Sequence, residues 1–172
     1  MRSRIAHFAV ARAAVAALVL LILATATLAD VATKTVDTGL GFTFVVPDTW
    51  IKGTPSGNNK FIIGSEEEDF AVIVTDFGPA QQDEGAALAI YRESFAKSGF
   101  TLQTETEATI AGKPSKRLIF LLETANGKAH AEVAMVNSDG ETYAILVVTP
   151  VDEIEKRRAT IAKIFDSIAL TK

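Results

Sequence analysis

Residues Thr101–Pro150 read TLQTETEATI AGKPSKRLIF LLETANGKAH AEVAMVNSDG ETYAILVVTP. Three turn signals divide them: Ala111-Gly112, Asn126-Gly127 and Asp139-Gly140. Asn-Gly and Asp-Gly are strong marks of two-residue hairpin turns, because both central residues need positive φ. The pattern predicts a meander of antiparallel strands at 101–110, 113–123, 128–137 and 141–149, closed by Pro150. The first strand alternates strictly: Leu102, Thr104, Thr106, Ala108 and Ile110 oppose Thr101, Gln103, Glu105, Glu107 and Thr109. One of its faces is therefore wet. Leu118–Leu122 and Ala144–Val148 are instead unbroken apolar runs. A sheet with one solvated face would alternate, so these central strands need cover on both faces.

Two amphipathic segments can supply that cover. Asp83 is placed to cap a helix from about Glu84 to Lys97, with Leu88, Tyr91 and Phe95 on one stripe and Ser98-Gly99 ending it. Asp152 is placed to cap a final helix through about Ile168, striped by Ile154, Ile161, Phe165 and Ile168, with the Arg158 stem covering the gap. One helix per face gives an α/β (α+β) fold, a three-layer α/β/α sandwich around a mostly antiparallel sheet. Upstream, Val31–Thr38 has weak strand character and Phe42–Val46 is a clear strand stopped by Pro47. Pro47-Asp48-Thr49-Trp50 reads as a turn and Thr54–Asn59 as a surface loop. Lys60–Ile63 and Phe70–Thr75 are short strands around the acidic tract Glu66–Asp69, and Gly78-Pro79 breaks the chain.

The N-terminus has a different composition. Arg2, Arg4 and Arg12 precede a charge-free run from Ala13 to Ala29, apolar throughout Leu18–Leu23 and ending in small residues. These are the parts of a secretory signal peptide, with exits after Ala26 or Ala29. A retained membrane anchor is the alternative, although the run is shorter than the ~20 apolar residues that span a bilayer. The expected organisation is a signal peptide at 1–29 and one domain at 30–172, periplasmic or secreted. Three of the 17 Lys+Arg lie in the leader, so against 21 Asp+Glu residues 30–172 carry a net charge of −7. Nucleic acid and anionic lipid repel such a domain at long range. The chain has no Cys, which excludes disulfides, thiolate nucleophiles and a lipidated cysteine.

Three motifs carry a family resemblance across nearly all of residues 30–172. They are Gly41-Phe42-Thr43-Phe44-Val45-Val46-Pro47-Asp48-Thr49-Trp50, Thr109-Ile110-Ala111-Gly112-Lys113-Pro114 and Ile164-Phe165-Asp166-Ser167-Ile168. In that order they resemble the PsbP-like family, named for a photosystem II extrinsic protein. Its fold is shared with DcrB-type bacterial envelope proteins and a Ran-binding import factor. The resemblance implies the α/β/α sandwich and a non-enzymatic role in protein binding or assembly. A fold alone does not transfer a role.

The residues offer little chemistry of their own. His130 is the one histidine of residues 30–172, and no Gly-x-Ser-x-Gly elbow or phosphate-cradling glycine loop occurs. If Asn126-Gly127 and Asp139-Gly140 are two-residue turns, Glu123 lies opposite His130 and His130 opposite Thr149, a polar row across three strands. That row is either a small ligand or metal site, with a hydrolase using His130 as a further alternative, or a solvated sheet end with a cross-strand pair. In the same register Glu132 falls between Leu121 and Val147 on an apolar face. A buried carboxylate there needs a cationic partner or marks a functional site. Trp50 is a partner anchor or a core plug. The Glu66–Asp69 tract could recruit Ca²⁺ but lacks the spaced pattern of a calcium loop. No catalytic residue, resident metal or cofactor is assigned. The expected role is binding or assembling a protein partner in the cell envelope through the Lys52–Asn59 loop, the Glu66–Asp69 tip or Phe77–Gln82.

Overall fold

The computed structural model describes residues 31–80, 84–124 and 127–171. The leader at 1–29, the Asp83 cap, Gln81-Gln82 and Asn126 lie outside them. In chain order the elements are β1 (Thr33–Asp37), β2 (Phe42–Pro47), β3 (Ile51–Lys52), β4 (Asn59–Gly64), β5 (Ala71–Pro79), α1 (Glu84–Lys97), β6 (Phe100–Ile110), β7 (Lys113–Thr124), β8 (Gly127–Ser138) and β9 (Glu141–Pro150). A 3-10 turn (Val151–Glu153), α2 (Ile154–Asp166) and β10 (Ala169–Leu170) complete the chain. The main sheet has seven strands in the order β3-β4-β5-β9-β8-β7-β6, and a second sheet has three in the order β1-β2-β10. Each described pairing is antiparallel.

The meander of β6 to β9 forms where the turn signals place it. Asp139 and Gly140 take φ of 53° and 82°, and Ala111 and Gly112 take 50° and 75°. Positive φ at both positions is what a tight hairpin of this hand requires. The middle hairpin differs from expectation. Thr124 pairs with Gly127, so residues 125–126 make the connection. Gly127 has φ of 130°, outside the left-handed turn region, and serves as the first residue of the ladder. The shift puts Glu123 opposite Lys128, His130 opposite Leu121, and Glu132 opposite Ile119. On the β9 side, His130 does face Thr149 and Glu132 does face Val147.

Three other boundaries move. Gly78-Pro79 does not break the chain: β5 continues through it with a register shift between Asp76 and Pro79. Gly78, at φ of 84°, takes up the local distortion, and proline is tolerated at such an irregularity. Asp152 does not cap the last helix by its side chain. Pro150 leads directly into the 3-10 turn, which already contains Asp152, and neither helical segment has a side-chain cap. The helix also stops at Asp166, because Ala169–Leu170 pair with Phe42 and Thr43 of β2.

Both faces of the main sheet are covered. On one, Leu88, Tyr91 and Phe95 of α1 pack on Leu118, Phe120, Val133 and Leu146. On the other, Ile161, Ile164 and Phe165 of α2 pack on residues including Val72, Ile145 and Val147. Phe42, Phe44 and Val46 of β2 join that second cluster, so the small sheet and α2 together form the third layer. Phe42, Phe44, Phe120 and Phe165 are fully buried, each stabilising the fold by about 1.5–3 kcal/mol. Trp50 is only 4% exposed and packs edge-on against Phe70 at 4.7 Å, as a core plug. Among the described residues no helix is long and apolar enough to cross a membrane.

Candidate functional site

Strands β8 and β9 direct His130, Glu132 and Thr149 to the α2 face. His130 and Glu132 stand two apart on β8, and His130 Nε2 lies 2.9 Å from Glu132 Oε1. The other carboxylate oxygen lies 3.3 Å from an Arg117 Nη1 brought in by β7. The Arg117 guanidinium in turn sits 5.1 Å above the Phe165 ring. Glu132, 8% exposed, thus has the cationic partner its burial demands, supplied by a neighbouring strand. Glu123 is not part of the group. It is exposed and pairs with Lys128 at 2.6 Å.

A second network lies beside the first, centred on Arg157. Its Nη1 donates to Thr149 Oγ1 at 2.9 Å and to the Asp69 carbonyl at 3.1 Å. Its Nη2 donates to Asp69 Oδ2 at 2.7 Å, and the guanidinium lies 4.9 Å over the Phe70 ring. The Ser65 hydroxyl donates to Asp69 Oδ1 at 3.0 Å. Hydrogen bonding from Arg157 holds the Asp69 carboxyl below the usual carboxylate range; burial opposes this and Ser65 reinforces it. The helical stripe points to Arg158 as the stem that covers its gap. Arg158 is exposed and pairs with Glu155 along the helix, while Arg157 is the residue that turns inward.

These contacts shape the acidic tip. The Ser65 amide donates to Phe70 O at 2.8 Å and the Glu68 amide to Ser65 O at 3.1 Å, closing a tight loop. Glu68 sits at φ of 59°, a strained position for a residue with a side chain. Glu66, Glu67 and Glu68 are exposed, and among the described residues none of them has an ion-pair partner. Between this tip and Pro150–Asp152 runs an open cleft of about 580 Å³ that Lys128 and Thr149 also line.

The three expected contact regions do not share one surface. Gly64 pairs with Ala71 beside the tip, whereas Asn59 pairs with Thr75 at the far end of the same hairpin. There the Asp76 amide donates to Asn58 O at 2.9 Å. The Lys52–Asn59 loop starts opposite Ile63, near the tip, and runs to the end opposite Glu66–Asp69, where the described part of Phe77–Gln82 also lies.

The sequence profile of the PsbP family matches residues 32–170. The chain belongs to the PsbP family. Solved structures agree on the fold. The cyanobacterial PsbP (CyanoP) of Synechocystis sp. PCC 6803 aligns with a TM-score of 0.60 at 14% identity, covering 84% of this chain and 95% of its own. The Ran-binding protein Mog1p of Saccharomyces cerevisiae gives 0.58 at 11% identity, covering 83% and 97%. LpqN of Mycobacterium tuberculosis, involved in cell envelope biogenesis, gives 0.52 at 16% identity, covering 82% and 91%. No curated protein matches the chain.

The motifs of this PsbP-family chain each have a structural task. Gly41 has φ of 81°, and a Cβ there would meet Ser138 Oγ at 2.2 Å, so only glycine fits where the chain enters β2. The Trp50 amide closes the Pro47 turn at 3.2 Å. Ser167 Oγ accepts from the Val45 amide at 2.8 Å and donates to Ile164 O at 2.9 Å, tying the end of α2 to β2. These residues hold the entry to β2 and the end of α2 in place.

Proposed function

We propose that this PsbP-family chain is an exported, non-enzymatic domain that binds a protein partner in the cell envelope and helps assemble it. The observation that carries the reading is the acidic tip. Arg157 and Ser65 fix its base, while Glu66–Glu68 stand exposed and unpaired among the described residues. Ordering a loop before binding lowers the entropic cost of association, and unpaired surface charge speeds encounter with an oppositely charged patch. The partner surface is therefore basic. Export rests on the leader at residues 1–29, and the envelope role has a parallel in LpqN, which is involved in cell envelope biogenesis. Partner binding has a parallel in the Ran-binding relative. The non-enzymatic reading rests on access: Thr149 is fully buried, and the His130 and Glu132 side chains are only 14% and 10% exposed.

The test is a crosslinked pull-down of the tagged protein from its own host's envelope, read by mass spectrometry. The wild type is expected to enrich one envelope complex. Replacing Glu66, Glu67 and Glu68 together by lysine is expected to lower that enrichment by about tenfold or more. Equal recovery with the charge-reversed tip would remove the tip as the contact. Enrichment of background proteins alone would remove the assembly role.

A further inference from the structure

On the opposite face of the main sheet, α1 lies over β7, β8 and β9 through Leu88, Tyr91 and Phe95. Toward β4 and β5 the helix leaves a half-open cleft of about 250 Å³. Its floor is Ile73, Leu146, Phe77, Phe95 and Phe100. Phe95 meets Phe100 edge-on at 5.1 Å and stacks with Phe77 at 6.4 Å, which makes an aromatic corner. Its other wall is polar: Asn59, Thr75, Ser94 and Ser98.

No lining side chain ionises. A charged ligand would lose its hydration there and gain no counter-charge. The polar wall also has a direction. Thr75 Oγ1 donates to Asn59 Oδ1 at 2.9 Å, which occupies the amide oxygen. Ser98 Oγ donates to the Ser94 carbonyl at 3.0 Å. The Asn59 side-chain amide and the Ser94 hydroxyl line this wall on opposite sides, from β4 and α1. The Asn59 amide nitrogen only donates and the Ser94 hydroxyl can also donate, so a ligand acceptor matches this pair. An apolar floor with a few convergent polar groups is the usual make-up of a small-molecule site, and the volume lies just under the ~300–1,000 Å³ of drug-sized pockets.

We propose that this cleft binds a small neutral molecule, a one- or two-ring or short aliphatic body with a carbonyl or ether oxygen directed to Asn59 and Ser94. The site shares no residue with the acidic tip and goes beyond the partner-binding role. The probe is prodan, a neutral naphthalene ketone whose emission moves to the blue in apolar surroundings. Titrated into the purified protein, it is expected to bind saturably at one site, at least about tenfold tighter than the anionic anilinonaphthalene sulfonate. Ser94→Phe fills the cleft from the half-buried face of α1 and is expected to weaken prodan binding by about tenfold or more, with an unchanged thermal transition. Asn59→Asp replaces a donor by an acceptor and is expected to do the same without adding bulk. Non-saturable binding, sulfonate affinity equal to that of prodan, or unchanged prodan affinity in both variants would overturn the proposal.

Discussion

Arg157 Nη2 lies 2.7 Å from Asp69 Oδ2, a contact spanning 88 residues of sequence. It joins the first turn of α2 to the acidic tip between β4 and β5. Arg157→Ala removes this bond, the bond to Thr149 Oγ1 and the packing on Phe70. Hydrogen bonds to charged groups contribute about 1.5–3 kcal/mol. The Asp69 side chain is 37% exposed, so solvent screening puts the expected loss nearer about 1 kcal/mol. Urea unfolding measures that loss, and cleavage by a glutamate-specific protease at Glu66–Glu68 should become faster. Arg158→Ala, which removes only an exposed helical pair, should change stability far less than Arg157→Ala does. Equal effects of the two substitutions would refute the pinning role.

The same contact sets an acid limit. Arg157 hydrogen bonding holds the Asp69 carboxyl below its ordinary value of 3.8 in the folded state. A depressed carboxylate contributes stability that is complete above its unfolded value and lost as pH falls through the folded one. The stability gap between wild type and Asp69→Asn should be full at neutral pH. It should begin to narrow below about pH 4 and close at lower pH. Urea titrations across that range read the gap directly. A constant gap down to the lowest pH would show that the charge of Asp69 contributes nothing.

How far the sequence carried the fold depends on the range of the interactions involved. Asp139-Gly140 and Ala111-Gly112 specify their turns locally, through backbone conformations that neighbours do not need to enforce. The unbroken runs at Leu118–Leu122 and Ala144–Val148 likewise required two covering layers. Gly127 misled because glycine tolerates the ladder as well as the turn, and one residue of slippage in the turn moved Glu123 away from His130. Arg157 lies three residues from Ile154 and four from Ile161, and Arg158 lies four and three from them, so periodicity does not separate the two. The choice belongs to Asp69, far away in sequence. The second sheet was hidden for a similar reason, since β10 is only Ala169–Leu170 and exists because β2 offers it an edge.

Ser167 offers a test of the link between the outer layers. Its hydroxyl takes the Val45 amide at 2.8 Å and reaches back to Ile164 O at 2.9 Å. Ser167→Ala leaves that part-buried amide without its acceptor, at a cost of about 1–3 kcal/mol. Hydrogen exchange at the Val45 amide should accelerate in the variant beyond what the global loss of stability explains. Exchange that only follows global stability would mean that the small sheet does not depend on this bond.

Glu132 separates a structural ion pair from a site held ready for chemistry. It is 8% exposed and serves both Arg117 and His130. Glu132→Ala strands the Arg117 charge over Phe165. Breaking a buried pair in this way costs about 3–5 kcal/mol, and the expected value is at the low end because the Arg117 side chain is 24% exposed. Replacing both partners, Arg117→Met with Glu132→Leu, removes two desolvated charges together and should recover most of the loss. A double-mutant cycle by urea unfolding gives the coupling energy. Strong coupling with partner recovery unchanged in the double variant would identify the pair as scaffold. Recovery lost despite restored stability would instead draw His130, Glu132 and Arg117 into the binding surface, because a purely structural pair can be replaced by apolar packing and a recognition group cannot.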